Sequence, residues 1–159
     1  MIEVLHSQTP FIKGVKLARN AGHQNALLAG LTLFKDAADC FITIDADLQD
    51  DIRAIREMVE KFSAGLDIIY GVRKKRQDDS FFKKSTALSF YNLMKKLGVE
   101  IIYNHADYRL SSKRILEELL KFKETNLFLR GIYPLLGFKS ASVYYDRIKR
   151  QAANQNIRF

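Results

Sequence analysis

The chain has 159 residues, 47% of them hydrophobic, a formal net charge of +8 and a sequence pI near 9.6. That size and apolar content suffice for the core of one domain, and the lone Cys40 excludes an internal disulfide framework. No apolar run reaches the roughly 18 residues of a membrane span and the N-terminus lacks a secretion-signal pattern, so a cytoplasmic location is expected. The positive charge predicts anionic partners: phosphorylated small molecules, nucleic acid or an acidic membrane surface.

In chain order, Gly14 to Ala18 is read as a short strand, and Gln24 to Phe34 as a buried helix capped by Asn20. Cys40 to Ile44 is a continuous apolar run rich in β-branched and aromatic residues, too short for a typical helix, and is read as a strand buried on both faces. Ile52, Ile55, Met58, Val59 and Phe62 recur at helical spacing after the acids Asp47 to Asp51, which suit a helix N-terminus. Gly65 ends that helix, and Leu66 to Gly71 supplies the next strand before the basic loop Arg73-Lys74-Lys75-Arg76. Residues 80 to 97 form a long amphipathic helix, basic at Lys83-Lys84 and Lys95-Lys96. Beyond it come a short strand at Asp107 to Leu110, helices at Ile115 to Phe122 and Leu127 to Leu136, and a strand at Ser140 to Tyr145. The tail from Gln151 has no periodicity and is expected to be mobile. Alternating strands and helices predict an α/β sheet layered between helices, in a single domain over residues 1–159.

Ligands of open α/β sheets gather outside the carboxyl ends of the strands, where Asp45-Ala46-Asp47-Leu48-Gln49-Asp50 falls. Alternate carboxylates there form an oxygen-rich cluster in which Mg²⁺ or Mn²⁺ could bridge to a diphosphate. An acidic helix cap is the competing reading. Two acids directly after a buried strand carry a repulsion that a cap does not require and that a cation would relieve. The motif is also similar to that of haloacid-dehalogenase-like phosphatases, which use the first Asp as nucleophile. That family, however, expects Thr or Val near where Leu48-Gln49 stand and a second acidic pair after a later strand, whereas Asp78-Asp79 lie in a hydrophilic loop.

Five segments together resemble the family 2 glycosyltransferases, in the dolichol-phosphate mannosyltransferase and bactoprenol glucosyltransferase branch. They are Arg19 to Gly30, Asp45 to Asp50, Tyr70 to Arg76, Asp107-Tyr108-Arg109-Leu110 and Phe128-Leu129-Arg130-Gly131, in matching order and spacing from about residue 14 to 150. The resemblance implies a layered GT-A-like (Rossmann-like) mixed sheet flanked by helices. It also implies a divalent metal, Mg²⁺ or Mn²⁺, at Asp45 and Asp47 with Gln49 nearby, and transfer of a hexose from a UDP- or GDP-sugar to a polyprenyl phosphate. Asp107 aligns with an acid near the acceptor, as base or, since a phosphate acceptor is already ionised, as an aligning charge acting through Arg109.

Arg73 and Arg76 follow a strand end and are candidates to hold phosphate with forked hydrogen bonds, against the commoner reading of a solvated basic loop. Arg130, Arg147 and Arg150 are similar candidates. His23 is read as a structural residue at a helix start, and the pairs Phe81-Phe82 and Tyr144-Tyr145 as core or half-buried surface.

Relatives of this family begin with two nucleotide-binding strands that have no counterpart in Met1 to Lys13, and often continue into membrane helices. The expectation is therefore an N-terminally truncated domain with weak or absent transferase activity as an isolated chain, and self-association through an exposed sheet edge. The alternative is a non-catalytic basic module that binds nucleic acid or an anionic surface; it leaves Asp45 and Asp47 unexplained, so no specific nucleic acid is expected. Attachment to the inner face of a membrane would be peripheral.

Overall fold

The computed structural model describes residues 2–47, 49–74, 105–122 and 128–147. In chain order they form helix α1 (Ile2–Gln8), helix α2 (His23–Phe34), strand β1 (Cys40–Thr43), helix α3 (Ala54–Ser63), strand β2 (Ile68–Arg73), strand β3 (His105–Ser112), helix α4 (Lys113–Leu119), helix α5 (Leu129–Leu135) and strand β4 (Ser140–Tyr145). The strands make one mixed sheet in the order β1-β3-β2-β4. β3 is antiparallel to both β1 and β2, and β4 is parallel to β2. Three strands, β1, β2 and β4, therefore point the same way, and their carboxyl ends share one edge with the start of β3.

β2 shows why the sheet must be covered on both sides. Its successive side chains face opposite ways. Ile68, Tyr70 and Val72 join Leu31, Ile115, Leu116, Leu119, Leu129 and Tyr133, from α2, α4 and α5, in one core. Ile69 joins Ala54 and Met58 of α3, with Tyr108, Leu110, Val143 and Tyr145, in the other. Helices on both faces of a mixed sheet give the α/β, GT-A-like layering the sequence predicts. The contact between α3 and the sheet is close at Gly71, where an added Cβ would stand 2.8 Å from Tyr108 Cδ1 and 3.1 Å from Met58 Cε. Gly65 turns the chain out of α3 with φ at +90°, a conformation that glycine takes without strain.

Several boundaries differ from expectation. Gly14 to Ala18 is not a strand, because β1 is the sheet edge and no strand among the described residues pairs alongside it. β1 is half-buried for the same reason, only Thr43 being fully buried, and it stops before the exposed Ile44. Asn20 does not cap α2. Its Oδ1 accepts the Gly22 N–H at 2.9 Å, Gly22 stands at the cap with φ at 79°, and the helix begins at His23. α1 was not expected. β3 is longer than the segment read from Asp107 to Leu110, β2 runs on to Arg73, and β4 has the limits read from sequence. Tyr144 is exposed while Tyr145 is buried, as alternation along β4 requires. The helix read over 80–97 and the tail from 151 lie outside the described residues.

Candidate functional site

The loop after β1 carries Asp45 into the space beyond the strand ends, and the register of the sheet brings the other groups to it. Thr43 pairs with Arg109 across β1 and β3, and the Thr43 hydroxyl donates to the Asp107 carbonyl, which ties the end of β1 to the start of β3. Asp107 thereby lies beside Asp45. His23, the first residue of α2, completes the group: its Nε2 is 3.8 Å from Asp45 Oδ1 and 3.7 Å from Asp107 Oδ2. One potential ligand atom from each of the three lies within 4.8 Å of the others.

Guanidinium groups surround these acids. Asp107 accepts from Arg109 Nη2 at 2.5 Å and from Arg130 Nε and Nη2 at 3.2 and 3.1 Å. Arg109 is fully buried and stacks on the Tyr133 ring at 4.3 Å from its centroid. Burial works to raise the Asp107 pKa, but the Arg130 hydrogen bond and the charges of Arg109, Arg130 and His23 outweigh it and hold the carboxyl below its usual range. Asp107 is thus a carboxylate at neutral pH. Arg73, at the end of β2, lies 3.9 Å from Asp45 and forms a closer pair with Asp50 at 3.0 Å.

Asp47 and Gln49 turn elsewhere. Asp47 Oδ1 accepts the Gln49 N–H at 3.1 Å and its other oxygen is 3.7 Å from Arg147, which also donates to Gln49 Oε1. The structure so divides the acids expected to share a metal: Asp45 stands with His23 and Asp107, whereas Asp47 and Gln49 stand with Arg147 just after β4. Asp50 is buried against Arg73 and Tyr145, and Asp51 forms a forked pair with Arg53 at the entry to α3. Arg76 and Arg150 lie outside the described residues. Sequence reasoning missed the place of His23, for which the only local signal is a glycine of positive φ turning the chain into a helix whose first residue can ligate.

The two carboxylates of the donor set suit a divalent cation such as Mg²⁺ or Mn²⁺, and the imidazole of His23 favours the transition metal Mn²⁺ over Mg²⁺, which takes oxygen ligands. Among the described residues, the carboxylates of Asp45, Asp47, Asp50 and Asp107 face the guanidinium groups of Arg73, Arg109, Arg130 and Arg147, four against four. Among the described residues no helix is long and apolar enough to cross a membrane.

Open α/β sheets take their ligands outside the carboxyl ends of the strands, which is where this sheet gathers its carboxylates and guanidiniums. The chain belongs to glycosyl transferase family 2, whose family model matches residues 1–120. It is 60% identical over 141 residues to the uncharacterized glycosyltransferase YkoT of Bacillus subtilis (strain 168), covering 89% of this chain and 42% of that protein. It is 36% identical over 153 residues to the bactoprenol glucosyl transferase of Shigella phage SfX, covering 96% of this chain and 50% of the relative. The prophage bactoprenol glucosyl transferase homolog of Escherichia coli (strain K12) is also 36% identical, over 155 residues, with 97% of this chain and 50% of that protein covered. The chain thus spans half the length of these relatives or less.

Proposed function

We propose that this chain is the metal-binding and acceptor portion of a transferase that moves a hexose from a UDP- or GDP-sugar to a polyprenyl phosphate. The observation that carries the reading is the convergence of His23, Asp45 and Asp107 with Arg73, Arg130 and Arg147 at one end of the sheet. A cluster whose described acids and arginines balance is ill suited to take a lone cation or a lone diphosphate. A divalent cation together with the diphosphate of a nucleotide sugar adds no net formal charge, so the two fit as a pair. Asp45, Asp107 and His23 would hold the metal, with Asp47 and Gln49 joining if they exchange Arg147 for it. The bound ion would supply electrostatic stabilisation of the departing diphosphate.

The remaining roles follow from charge and position. Arg73 and Arg147, with Arg76 and Arg150 beyond the described residues, are the candidates to hold phosphate oxygens by forked hydrogen bonds. Asp107 acts chiefly by alignment. A phosphate acceptor is already ionised near neutral pH, so no base is required; the buried Arg109 holds the Asp107 carboxylate from within, and Asp107 in turn orients the exposed Arg130 toward the acceptor. The names of the phage and prophage relatives support bactoprenol phosphate as the acceptor class, and a chain of net charge +8 suits the anionic membrane surface where such a lipid lies.

The test is sugar transfer from a labelled nucleotide sugar to polyprenyl phosphate. Lipid-linked sugar, weak from the isolated chain, is expected to form only with Mg²⁺ or Mn²⁺ and to fall at least about tenfold, roughly the effect of losing one charged contact, in Asp45→Ala. Product formed equally well in EDTA, or at an unchanged rate in that variant, contradicts the reading.

A further inference from the structure

Beneath the site, Arg73 is bonded to Asp50 and Tyr145, two residues to which the roles above give no part. Asp50 has a side chain with no exposure, and all of its compensation falls on one oxygen. Oδ1 accepts from Arg73 Nε at 3.2 Å, from Arg73 Nη2 at 3.0 Å and from the Tyr145 hydroxyl at 2.6 Å, while Oδ2 is buried with no partner among the described residues. The Tyr145 oxygen in turn accepts from Arg73 Nε at 3.2 Å. A phenol has one proton, and here it goes to Asp50, so the direction of each bond is fixed.

The backbone holds this arrangement independently of the side chains. Tyr145 is the register partner of Arg73 in the parallel β2–β4 pair, and the Lys74 N–H donates to the Tyr145 carbonyl at 2.9 Å. The Tyr145 ring meets Tyr108 edge to face, with centroids 5.2 Å apart. Arg73 has long, rotatable arms and lies at the mouth of the site, 3.9 Å from Asp45. A buried carboxylate that already lacks a donor on one oxygen depends on each donor to the other.

We propose that Tyr145 is a positioning residue that, together with Asp50, fixes the Arg73 guanidinium beside Asp45 in the orientation that meets the diphosphate or acceptor phosphate. The ligand rests on the function proposed above; the fixing of Arg73 does not. Burial works against the Arg73 charge, yet the hydrogen bond Arg73 donates to Tyr145 and the charge of Asp50 raise its pKa, so it stays a cation.

Tyr145→Phe keeps the ring and removes the hydroxyl. Nuclear magnetic resonance of the Arg73 Nε–H reads its hydrogen exchange, and calorimetry with Mn²⁺ and UDP reads binding. In Tyr145→Phe the exchange should quicken and the affinity fall, each by about tenfold, the factor for one hydrogen bond to a charged group. Tyr108→Phe is the control: it removes a hydroxyl that donates to the Asp51 carbonyl in the same loop and should leave Arg73 exchange unchanged. Unchanged Arg73 exchange in a folded Tyr145→Phe overturns the proposal. So does faster exchange with unchanged affinity, which would make Tyr145 merely structural. Should the wild-type protein bind no metal and nucleotide at all, the proposed function fails, and the exchange readout alone still decides whether Tyr145 fixes Arg73.

Discussion

Asp67 is buried at the start of β2, where Ser112 Oγ donates to it at 3.0 Å and Arg114 Nε at 2.5 Å. The Arg114 hydrogen bonds, assisted by Ser112 and opposed by burial, hold its carboxyl below the usual range. The sign follows directly. A group whose folded pKa lies below its unfolded value adds stability at pH values above the unfolded pKa, and that stability is lost as pH falls through the folded pKa. Wild type should therefore exceed Asp67→Asn in stability at pH 7, and the gap should close as the pH drops below about 4. Denaturant unfolding across pH 2.5 to 7 checks this, and a gap that does not depend on pH would contradict it. At this scale the sequence was informative where a residue's role is local: Arg109 was read with Asp107 and does meet it, whereas the contact of Arg130 with Asp107, 23 residues away, was not foreseen. His23 was not, because nothing around it in the chain encodes the packing of α2 that sets it 3.8 Å from Asp45.

Elements were readable wherever a strand is covered on both faces or a helix has a clear apolar stripe. β4 and the body of α3 fall where patterning puts them, since alternation and 3.6-residue spacing record which side meets a core. Gly14 to Ala18 shows the limit, because an alternating segment becomes a strand only when a neighbour supplies hydrogen-bond partners. The half-buried edge position of β1 likewise depends on what lies next to it in space. Gly71 is a close approach that its place in a strand hides, β2 there shifting register against β3. Gly71→Ala would drive a methyl into Tyr108 and Met58 and should cost about 1–3 kcal/mol by overpacking. Urea unfolding at neutral pH tests this; a loss well under about 0.5 kcal/mol would show that α3 can move away from the sheet.

For the molecule as a whole, the mixed topology is what makes a site of separate segments. β1, β2 and β4 end on one edge and β3 begins there, so residues as far apart in sequence as His23 and Arg147 share it. Among the described residues the acids and arginines of that cluster balance one another. Fold class and acidic motif were legible from sequence because each follows from local pattern; the sorting of Asp45 toward His23 and Asp107, and of Asp47 toward Arg147, was not, because it arises from strand register. The chain belongs to glycosyl transferase family 2, and the proposed function has metal and diphosphate enter the cluster together. Calorimetry of UDP binding with and without Mn²⁺ tests this most directly. The account predicts at least about tenfold tighter UDP binding in the presence of Mn²⁺, abolished in Asp45→Ala and weakened less in Asp47→Ala. UDP affinity that is indifferent to Mn²⁺, or unaltered in Asp45→Ala, would contradict it.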